Sequence, residues 1–246
     1  MIKDIYSDPD LYDAAHTWKT NDIEFITNAA NEYGSPVLEL GSGTGRLALP
    51  LLNQSHNYTG IESSSSFVKC AKNKLESFGD KATVLEGDMR SFDLDQKFNF
   101  IFIGFNSIFH LMNEKDVLSF FKCIKKHLTD DGTFLIDTFI PDPLFLYRDK
   151  QKYYVMEFDT PDGMNCIVSE TNDYHTESQI NHINWFFNYE GKDEPEVFTF
   201  DMHMIFPDTM DRLLMDAGLK IKEKYGDYEK TPLGPESQLQ IYTCGK

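Results

Sequence analysis

The chain of 246 residues carries 40 acidic and 23 basic residues, which gives a formal net charge of −17 at pH 7. Such a surface repels a phosphate backbone, so this charge balance argues against DNA or RNA as a substrate. An apolar content of 41% with 14% aromatic residues is typical of a globular protein with a sizeable core. The length fits one large α/β domain, or one domain with a substantial insertion.

The sequence contains no run of eighteen or more apolar residues, so we expect no membrane-spanning segment. The first residues, MIKDIYSDPD, lack the charged-then-apolar plan of a signal peptide, which predicts a cytoplasmic protein. The four cysteines form no Cys-x-x-Cys pair, which argues against a zinc site and agrees with a reducing compartment. The four are Cys70, Cys123, Cys166 and Cys244, and we expect most of them to be small core residues.

In chain order, the pattern begins with two predicted helices, over residues 5–16 and 21–33. Short apolar strands then alternate with helices as far as residue 138, and Asp130–Gly132 is predicted to stop the last of these helices. This alternation predicts a parallel sheet with helices on both faces. The predicted strands are 37–40, 58–62, 82–86, 98–103 and 133–138, and the predicted helices are 45–53, 66–78 and 116–128.

The alternation breaks after Pro141. From about residue 150 to 205 the residues favour strands separated by turn signals, which predicts an antiparallel meander inserted in the α/β domain. Its strands are predicted at 153–158, 166–169, 180–189 and 197–205. A helix over 207–217, with Gly218 just past its end, and strands over 220–225 and 238–244 complete the pattern.

The stretch LELGSGTGRLALP, residues 38–50, places three glycines at alternate positions between a predicted strand and a predicted helix. Such a turn lets a ligand touch bare backbone, and the helix that follows offers free N–H groups. A P-loop is excluded because no Lys-Ser or Lys-Thr follows, and the dinucleotide-binding pattern G-x-G-x-x-G fits poorly because Arg46 interrupts it. The remaining pattern has an acid, Glu39, two residues before the first glycine.

This form, Glu39-Leu40-Gly41-Ser42-Gly43-Thr44-Gly45, resembles the S-adenosylmethionine-binding motif of class I methyltransferases. An acid at that position suits a cationic sulfonium ligand that also carries an ammonium group, and suits a pyrophosphate poorly. Glu62 ends the second predicted strand, where the family's carboxylate accepts both hydroxyls of the cofactor ribose. The resemblance covers about residues 10–140 and 205–246.

The resemblance implies further contacts with S-adenosylmethionine. In the family an Asp after the third strand accepts a hydrogen bond from the adenine amino group, and the next apolar residue lies against the ring. Tyr12 matches an N-terminal tyrosine that lies near the cofactor's methionine end, and Arg46 either meets the cofactor carboxylate or is a surface arginine. The residues expected to bind the cofactor are Tyr12, Glu39, Gly41, Ser42, Gly43, Gly45, Arg46, Glu62, Ser63, Asp88, Met89 and Phe105.

The segment Gly104–Leu111, after the fourth predicted strand, bears on the methyl acceptor. It lacks the prolines that enzymes methylating nucleobase amino groups or amide nitrogens carry there. Its Asn-Ser-x-x-His-Leu form resembles the group of glycine and sarcosine methylators, amino-sugar N-methyltransferases and some natural-product O-methyltransferases. The resemblance therefore implies a small-molecule acceptor, with nitrogen slightly ahead of oxygen.

Two catalytic candidates lie in this segment. A neutral His110 imidazole can take a proton from the acceptor; the alternative is a histidine at a helix start that packs under a lid. Asn106 is expected either to orient the acceptor or to cap the loop. No obvious triad of ligands accompanies Asp137, so we expect no metal.

The predicted fold is a Rossmann-like parallel sheet with one antiparallel C-terminal strand, helices on both faces and an inserted antiparallel meander. The predicted domains are an N-terminal helical lid (1–34), an S-adenosylmethionine-binding domain (35–144 and 205–246) and the inserted sheet (145–204). The insert, rich in aromatic residues, is interpreted as a substrate wall or as a homodimer interface.

Two other functions stay open from the residues alone. Aminopropyl transfer would need paired acids near the transferred amine, and residues 104–111 lack them. A protein that binds S-adenosylmethionine without turnover would carry the same Glu39, Glu62 and Asp88, so only a turnover assay separates it from an enzyme.

Overall fold

The computed structural model describes residues 2–246, with side chains from Asp4 onward, and these residues form two compact units. Unit 1 contains the residues up to Thr20 together with Pro141–Met204, and unit 2 contains Asn21–Ile140 together with Ile205–Lys246. The predicted first domain, 1–34, is thus divided at residue 20. The reason is that Phe25 and Ile26 of its second helix are buried in the core of unit 2.

Most helices and strands lie close to their predicted positions, but the strand predicted at 166–169 extends to His175. Three short 3-10 helices, Ile5–Ser7, Glu76–Lys81 and Ser107–His110, accompany them. In chain order the other elements are β1 (Ile2–Lys3), α1 (Pro9–Ala15), α2 (Ile23–Tyr33), β2 (Val37–Leu40), α3 (Ala48–Asn53), β3 (Tyr58–Glu62), α4 (Ser65–Leu75), β4 (Ala82–Glu86), β5 (Phe98–Ile103), α5 (Glu114–His127), β6 (Leu128–Phe139), α6 (Pro143–Leu146), β7 (Tyr153–Asp159), β8 (Asn165–His175), β9 (Ile180–Tyr189), β10 (Glu196–His203), α7 (Pro207–Asp216), β11 (Lys220–Tyr225) and β12 (Leu239–Gly245).

Unit 2 is built on a seven-stranded sheet in the order β11-β12-β6-β5-β2-β3-β4. Strands β2 to β6 pair in parallel, whereas β12 is antiparallel to both β6 and β11. The apolar residues of the central strand β5 are buried on both faces, as expected for a strand inside a parallel sheet. The predicted fold class, with its one antiparallel C-terminal strand, is confirmed.

Strand β6 begins earlier than predicted. It starts at Leu128, directly after α5, and includes Asp130–Gly132. Its pairing with β5 is irregular there, because Phe98 pairs with Leu128 while Phe100 pairs with Thr133. The extra residues on β6 form a bulge-like irregularity, so the turn-forming sequence distorts the strand and does not precede it.

Unit 1 holds a five-stranded sheet in the order β1-β10-β9-β8-β7. Strands β7 to β10 form the predicted antiparallel meander, and β1 adds a parallel edge strand that the sequence did not predict. Residues of the N-terminal segment pack on one face of this sheet: Ile5, Leu11 and Ala15 join Val168, Phe187 and Phe198 in one apolar core.

The cysteines are all free thiols, with Cys166 and Cys244 buried and Cys70 and Cys123 half-buried. Within residues 2–246, no helix combines the length and the apolar character needed to cross a membrane.

Candidate active site

The glycine loop, residues 41–46, connects β2 to the turn before α3. Gly41, Gly43 and Gly45 have φ values of 64°, 56° and 85°, a left-handed conformation that glycine adopts without strain. A Cβ on Gly41 would lie 3.0 Å from Ser107 Cβ, whereas a Cβ on Gly43 would have no heavy atom within 4 Å. The loop is therefore tightly packed at its start and presents bare backbone to open space at Gly43.

Glu62, at the end of β3, holds this loop through its carboxylate. Its Oε2 accepts a hydrogen bond of 2.9 Å from the Gly43 N–H, and its Oε1 accepts one of 2.8 Å from the Ser64 N–H. The Ser63 hydroxyl donates a longer hydrogen bond of 3.4 Å to Oε1. A carboxylate offers about four lone-pair positions, so acceptor capacity remains for a hydroxyl group of a ligand. This geometry suits the expected role of Glu62 toward a ribose, which stays a prediction.

Glu39 lies on β2, beneath the glycine loop. Glu39 is only 5% exposed, and the Tyr58 hydroxyl donates a hydrogen bond of 2.5 Å to Glu39 Oε2. Burial raises the pKa of the Glu39 carboxyl to about 8, although the Tyr58 hydrogen bond acts in the opposite direction. The sequence did not predict the Tyr58 contact, although the register of β2 and β3 could have indicated it.

Arg46 is fixed by an acid that the sequence analysis missed. Its guanidinium donates two hydrogen bonds, of 2.8 and 2.7 Å, to the two carboxylate oxygens of Asp22, which precedes α2 and has a fully buried side chain. The Arg46 Cζ also lies 5.7 Å from the centroid of the Phe105 ring. Arg46 is thus oriented by two neighbours, and its contact with a cofactor carboxylate stays a prediction.

A cavity of about 240 Å³ lies at the carboxyl ends of the parallel strands. Ligands of open α/β sheets bind at this end. The cavity brings together residues that are far apart in sequence, and it is where five of the predicted site residues meet: Gly41, Ser63, Asp88, Met89 and His110.

Asp88 is held in this cavity wall by Arg90. The Arg90 side chain donates to both Asp88 oxygens, with a shortest distance of 2.5 Å, and it also donates to Asp116 Oδ2 at 2.8 Å. These hydrogen bonds from Arg90 lower the pKa of Asp88, so its carboxylate is an anionic acceptor at neutral pH. No motif in the sequence had indicated Arg90.

The β5 loop, residues 104–110, has positive φ values at two residues that are not glycine: 49° at Phe105 and 65° at Asn106. The Asn106 Oδ1 accepts a hydrogen bond of 2.9 Å from the Phe139 N–H at the end of β6, which fixes the strained turn. The side-chain carbonyl oxygen of Asn106 therefore already accepts a hydrogen bond from within the protein. An orienting role toward an acceptor stays a prediction.

Two other residues singled out from the sequence are Tyr12, expected to contact the cofactor, and Asp137, where we expected no metal. Tyr12 belongs to unit 1, where its ring centroid is 4.2 Å from that of His16, and its role toward the cofactor stays a prediction. Asp137, on β6, accepts a hydrogen bond of 2.9 Å from the Tyr228 hydroxyl. Across the residues that the structure describes, no three His, Cys, Asp or Glu side chains are grouped to hold a metal ion.

A parallel sheet with a glycine loop, and with acids at the ends of adjacent strands, is typical of α/β proteins that bind a nucleoside-containing cofactor. Residues 37–132 match the model of the methyltransferase domain family. The structure of the CcbJ methyltransferase from Streptomyces caelestis superposes with a TM-score of 0.81 at 20% identity, covering 98% of each chain. Residues 37–132 are therefore a methyltransferase domain, and the fold of the chain is similar to that of the CcbJ methyltransferase.

Two further similarities are to proteins named as N-methyltransferases. The chain is 25% identical over 245 residues to the glycine/sarcosine/dimethylglycine N-methyltransferase of Actinopolyspora halophila, covering 96% of this chain and 40% of that one. The sugar N-methyltransferase KedS8 from Streptoalloteichus sp ATCC 53650 gives a TM-score of 0.72 at 17% identity, covering 100% of this chain and 96% of that one. Alignments with the first two curated relatives span 42% and 83% of the lengths of those relatives.

Proposed function

We propose that this protein transfers the methyl group of S-adenosylmethionine to a nitrogen or oxygen of a small molecule by in-line displacement, with nitrogen the favoured acceptor atom. The observation that carries the proposal is the convergence of Gly41, Ser63, Asp88, Met89 and His110 on one cavity. The names of two similar proteins, a glycine/sarcosine/dimethylglycine N-methyltransferase and a sugar N-methyltransferase, support a small amine as the acceptor.

The residues present suit this cofactor. The backbone at Gly43 faces open space, Asp88 is an anionic acceptor for an amino group, and Glu62 keeps acceptor capacity for a hydroxyl group. We assign the adenine end to Asp88 and Met89 and the ribose to Glu62. When bound, the cofactor supplies a methyl group that is activated by its sulfonium leaving group.

The protein's own contribution to the reaction is mainly positioning. Holding the two reactants in line can supply on the order of 7–11 kcal/mol at best. We propose that His110 accepts a proton from the acceptor, and its position at the border of the cavity supports this role. The same cavity also contains Asp88 and Met89, so the competing interpretation is that His110 packs against the adenine ring.

The remaining parts of the proposal come from the sequence. The charge of −17 argues for a small-molecule acceptor over a nucleic acid, and the aromatic inserted sheet is proposed as the substrate wall. The formation of a homodimer through that sheet is the second interpretation. Native mass spectrometry measures the oligomeric state directly.

The first experiment is native mass spectrometry of the purified protein with added S-adenosylmethionine, S-adenosylhomocysteine or NAD. We expect the two S-adenosyl compounds to bind and NAD not to bind. Turnover is then measured with a panel of glycine, sarcosine, amino sugars and hydroxylated aromatics, by detection of S-adenosylhomocysteine and of the methylated product. Binding of NAD alone would refute the proposal, and binding of S-adenosylmethionine without turnover on the whole panel would favour a non-catalytic protein.

Substitution of His110 by Ala separates its two interpretations. A general base contributes about 10²–10⁴-fold, so kcat should fall by that factor while the Kd of S-adenosylmethionine changes little. His56→Ala is the matched control, because His56 lies in the same unit and bonds to Ser35 and Asn31, away from the cavity. A raised Kd of S-adenosylmethionine with unchanged kcat would show that His110 packs against the cofactor and is not a general base.

A further inference from the structure

A buried cluster of oxygen atoms lies directly under the glycine loop. Glu39 on β2 and Tyr58 on β3 share the hydrogen bond of 2.5 Å, and both side chains are buried. Gly60 leaves the space for this cluster, because a Cβ at that position would lie 2.7 Å from both Tyr58 Oη and Ser42 Oγ. The cluster thus depends on a glycine in the middle of a strand, where glycine is otherwise unfavourable.

The strand register explains why Tyr58 reaches Glu39. Glu39 is paired with Gly60 on the neighbouring parallel strand, and Tyr58 lies two residues before Gly60, on the same face. With no side chain at position 60, the Tyr58 ring can extend along the strand until its hydroxyl meets the carboxyl. The phenol of Tyr58 is itself kept protonated, since burial and the adjacent Glu39 raise its pKa well above the usual value.

The charges around Glu39 come from three other segments. Arg46, in the glycine loop, favours the ionised carboxylate, whereas Asp22, before α2, and Glu62, at the end of β3, disfavour it. Asp22 already pairs with Arg46, which reduces the positive charge available to Glu39. Burial outweighs the favourable contributions, so the pKa of Glu39 lies near 8 and the carboxyl is mostly protonated at pH 7.

We propose that Tyr58 is a positioning residue for cofactor binding: its hydroxyl fixes the Glu39 carboxyl beneath the glycine loop, so that binding of a cationic cofactor is coupled to the loss of one proton from Glu39. The proton passes from the carboxyl to bulk water, and the carboxylate that remains faces the positive charge of the ligand. This inference rests on the proposed function, because it needs S-adenosylmethionine as the ligand.

The coupling has a defined direction. S-Adenosylmethionine carries one more positive charge than S-adenosylhomocysteine, so its affinity should gain more from ionised Glu39. The ratio of the two affinities should therefore rise with pH up to the pKa of Glu39 and level off above it. Loss of the Tyr58 hydrogen bond, which lowers that pKa, should move the inflection upward by about one pH unit.

The test is calorimetric titration of the full chain with each ligand, between pH 6 and pH 9, in buffers of different ionisation enthalpy. For the native protein we expect release of up to one proton per S-adenosylmethionine bound near pH 6.5, falling toward zero at pH 9. Glu39→Gln should abolish the part of that release that comes from Glu39, and any release that remains in this variant comes from the ligand itself. In Tyr58→Phe the pH profile should move upward, with S-adenosylmethionine affinity at pH 7.5 about three- to tenfold weaker.

Tyr242→Phe is the matched control, because it removes another buried tyrosine hydroxyl of unit 2, one bonded to Pro207 O. Its pH profile should coincide with that of the native protein. If Tyr58→Phe does not fold, the numbers of protons released by the native protein and by Glu39→Gln still decide whether binding removes a proton from Glu39. Binding of S-adenosylmethionine without proton release, or equal profiles for the two tyrosine variants, would overturn this inference alone. Failure of the native protein to bind S-adenosylmethionine would overturn the proposed function as well.

Discussion

Two loops follow neighbouring parallel strands, β2 and β5, and they reach unusual backbone conformations by different means. The glycine loop places glycine at each of its positive φ angles, so its conformation costs little strain. The β5 loop places Phe105 and Asn106 at positive φ, and the Asn106–Phe139 hydrogen bond holds it. The first loop is determined by its own residues, whereas the second depends on a contact with a distant strand.

Gly41 is where the two loops meet, so Gly41→Ala should have the largest effect. The new Cβ would lie 3.0 Å from Ser107 Cβ in a left-handed conformation, so the free energy of unfolding should fall by about 2–3 kcal/mol. Urea denaturation measures this loss. Gly43→Ala has the same backbone cost but no neighbour within 4 Å, so it should lose only about 1–2 kcal/mol. Equal losses for the two variants would show that the loops do not constrain each other.

Asp22→Asn tests the ion pair that joins the glycine loop to α2. Removing one partner of a buried pair is strongly destabilising, but the Arg46 side chain is 27% exposed and keeps some solvent, so we expect a loss of about 1–3 kcal/mol. Affinity for S-adenosylmethionine should fall with it if Arg46 contacts the cofactor. Asp80→Asn, at an exposed acid of the same unit, serves as the control and should change stability little. An unchanged denaturation midpoint in Asp22→Asn would show that the Asp22–Arg46 pair does not stabilise the protein.

Asn106 separates backbone strain from hydrogen bonding in the β5 loop. Asn106→Gly keeps the positive φ and loses only the bond to the Phe139 N–H, which should cost about 1 kcal/mol. Asn106→Ala loses the bond and adds strain, so about 2 kcal/mol is expected. Chemical denaturation of both variants gives the difference. If Ala is no worse than Gly at this position, strain does not matter in this loop.

Phe105 should show the smallest effect. Phe105→Gly relieves a φ of 49° but loses the ring beside Arg46, so the net change should stay within about 1 kcal/mol. Phe105→Ala loses the same ring without relieving the strain and should be less stable than the glycine variant in the same denaturation assay. The opposite order would mean that this residue tolerates positive φ without cost.

The contrast between the glycine loop and the β5 loop also shows which features could be predicted from the sequence. Apart from the start of β6, the strands of unit 2 and the glycine loop were predicted within a few residues, because apolar runs and glycine spacing are local signals. The bond between Asn106 and Phe139, and that between Asp22 and Arg46, join segments 33 and 24 residues apart, and no local pattern marks either pair. Such contacts depend on how the chain is packed, which the sequence pattern does not determine.

Strand β1 and the start of β6 show two further limits. A two-residue strand has too few residues to show alternation, so Ile2–Lys3 was not predictable as the partner of β10. Asp130–Gly132 carries a strong turn signal. However, β5 pairs with β6 both before and after this segment, so the segment forms an irregularity within β6. Glu39 is an intermediate case: its importance was predicted from the motif, while its burial and its contact with Tyr58 required the structure.

The position of β12 has a consequence for how the protein is made. This strand, Leu239–Gly245, lies between β11 and β6, although it comes after every other strand of that sheet in the chain. Until it is in place, β6 has an unpaired edge, and an exposed edge strand is a template for aggregation. The sheet of unit 2 is therefore complete only after β12 has been synthesised. A nascent chain that stalls earlier should depend on chaperones to stay soluble.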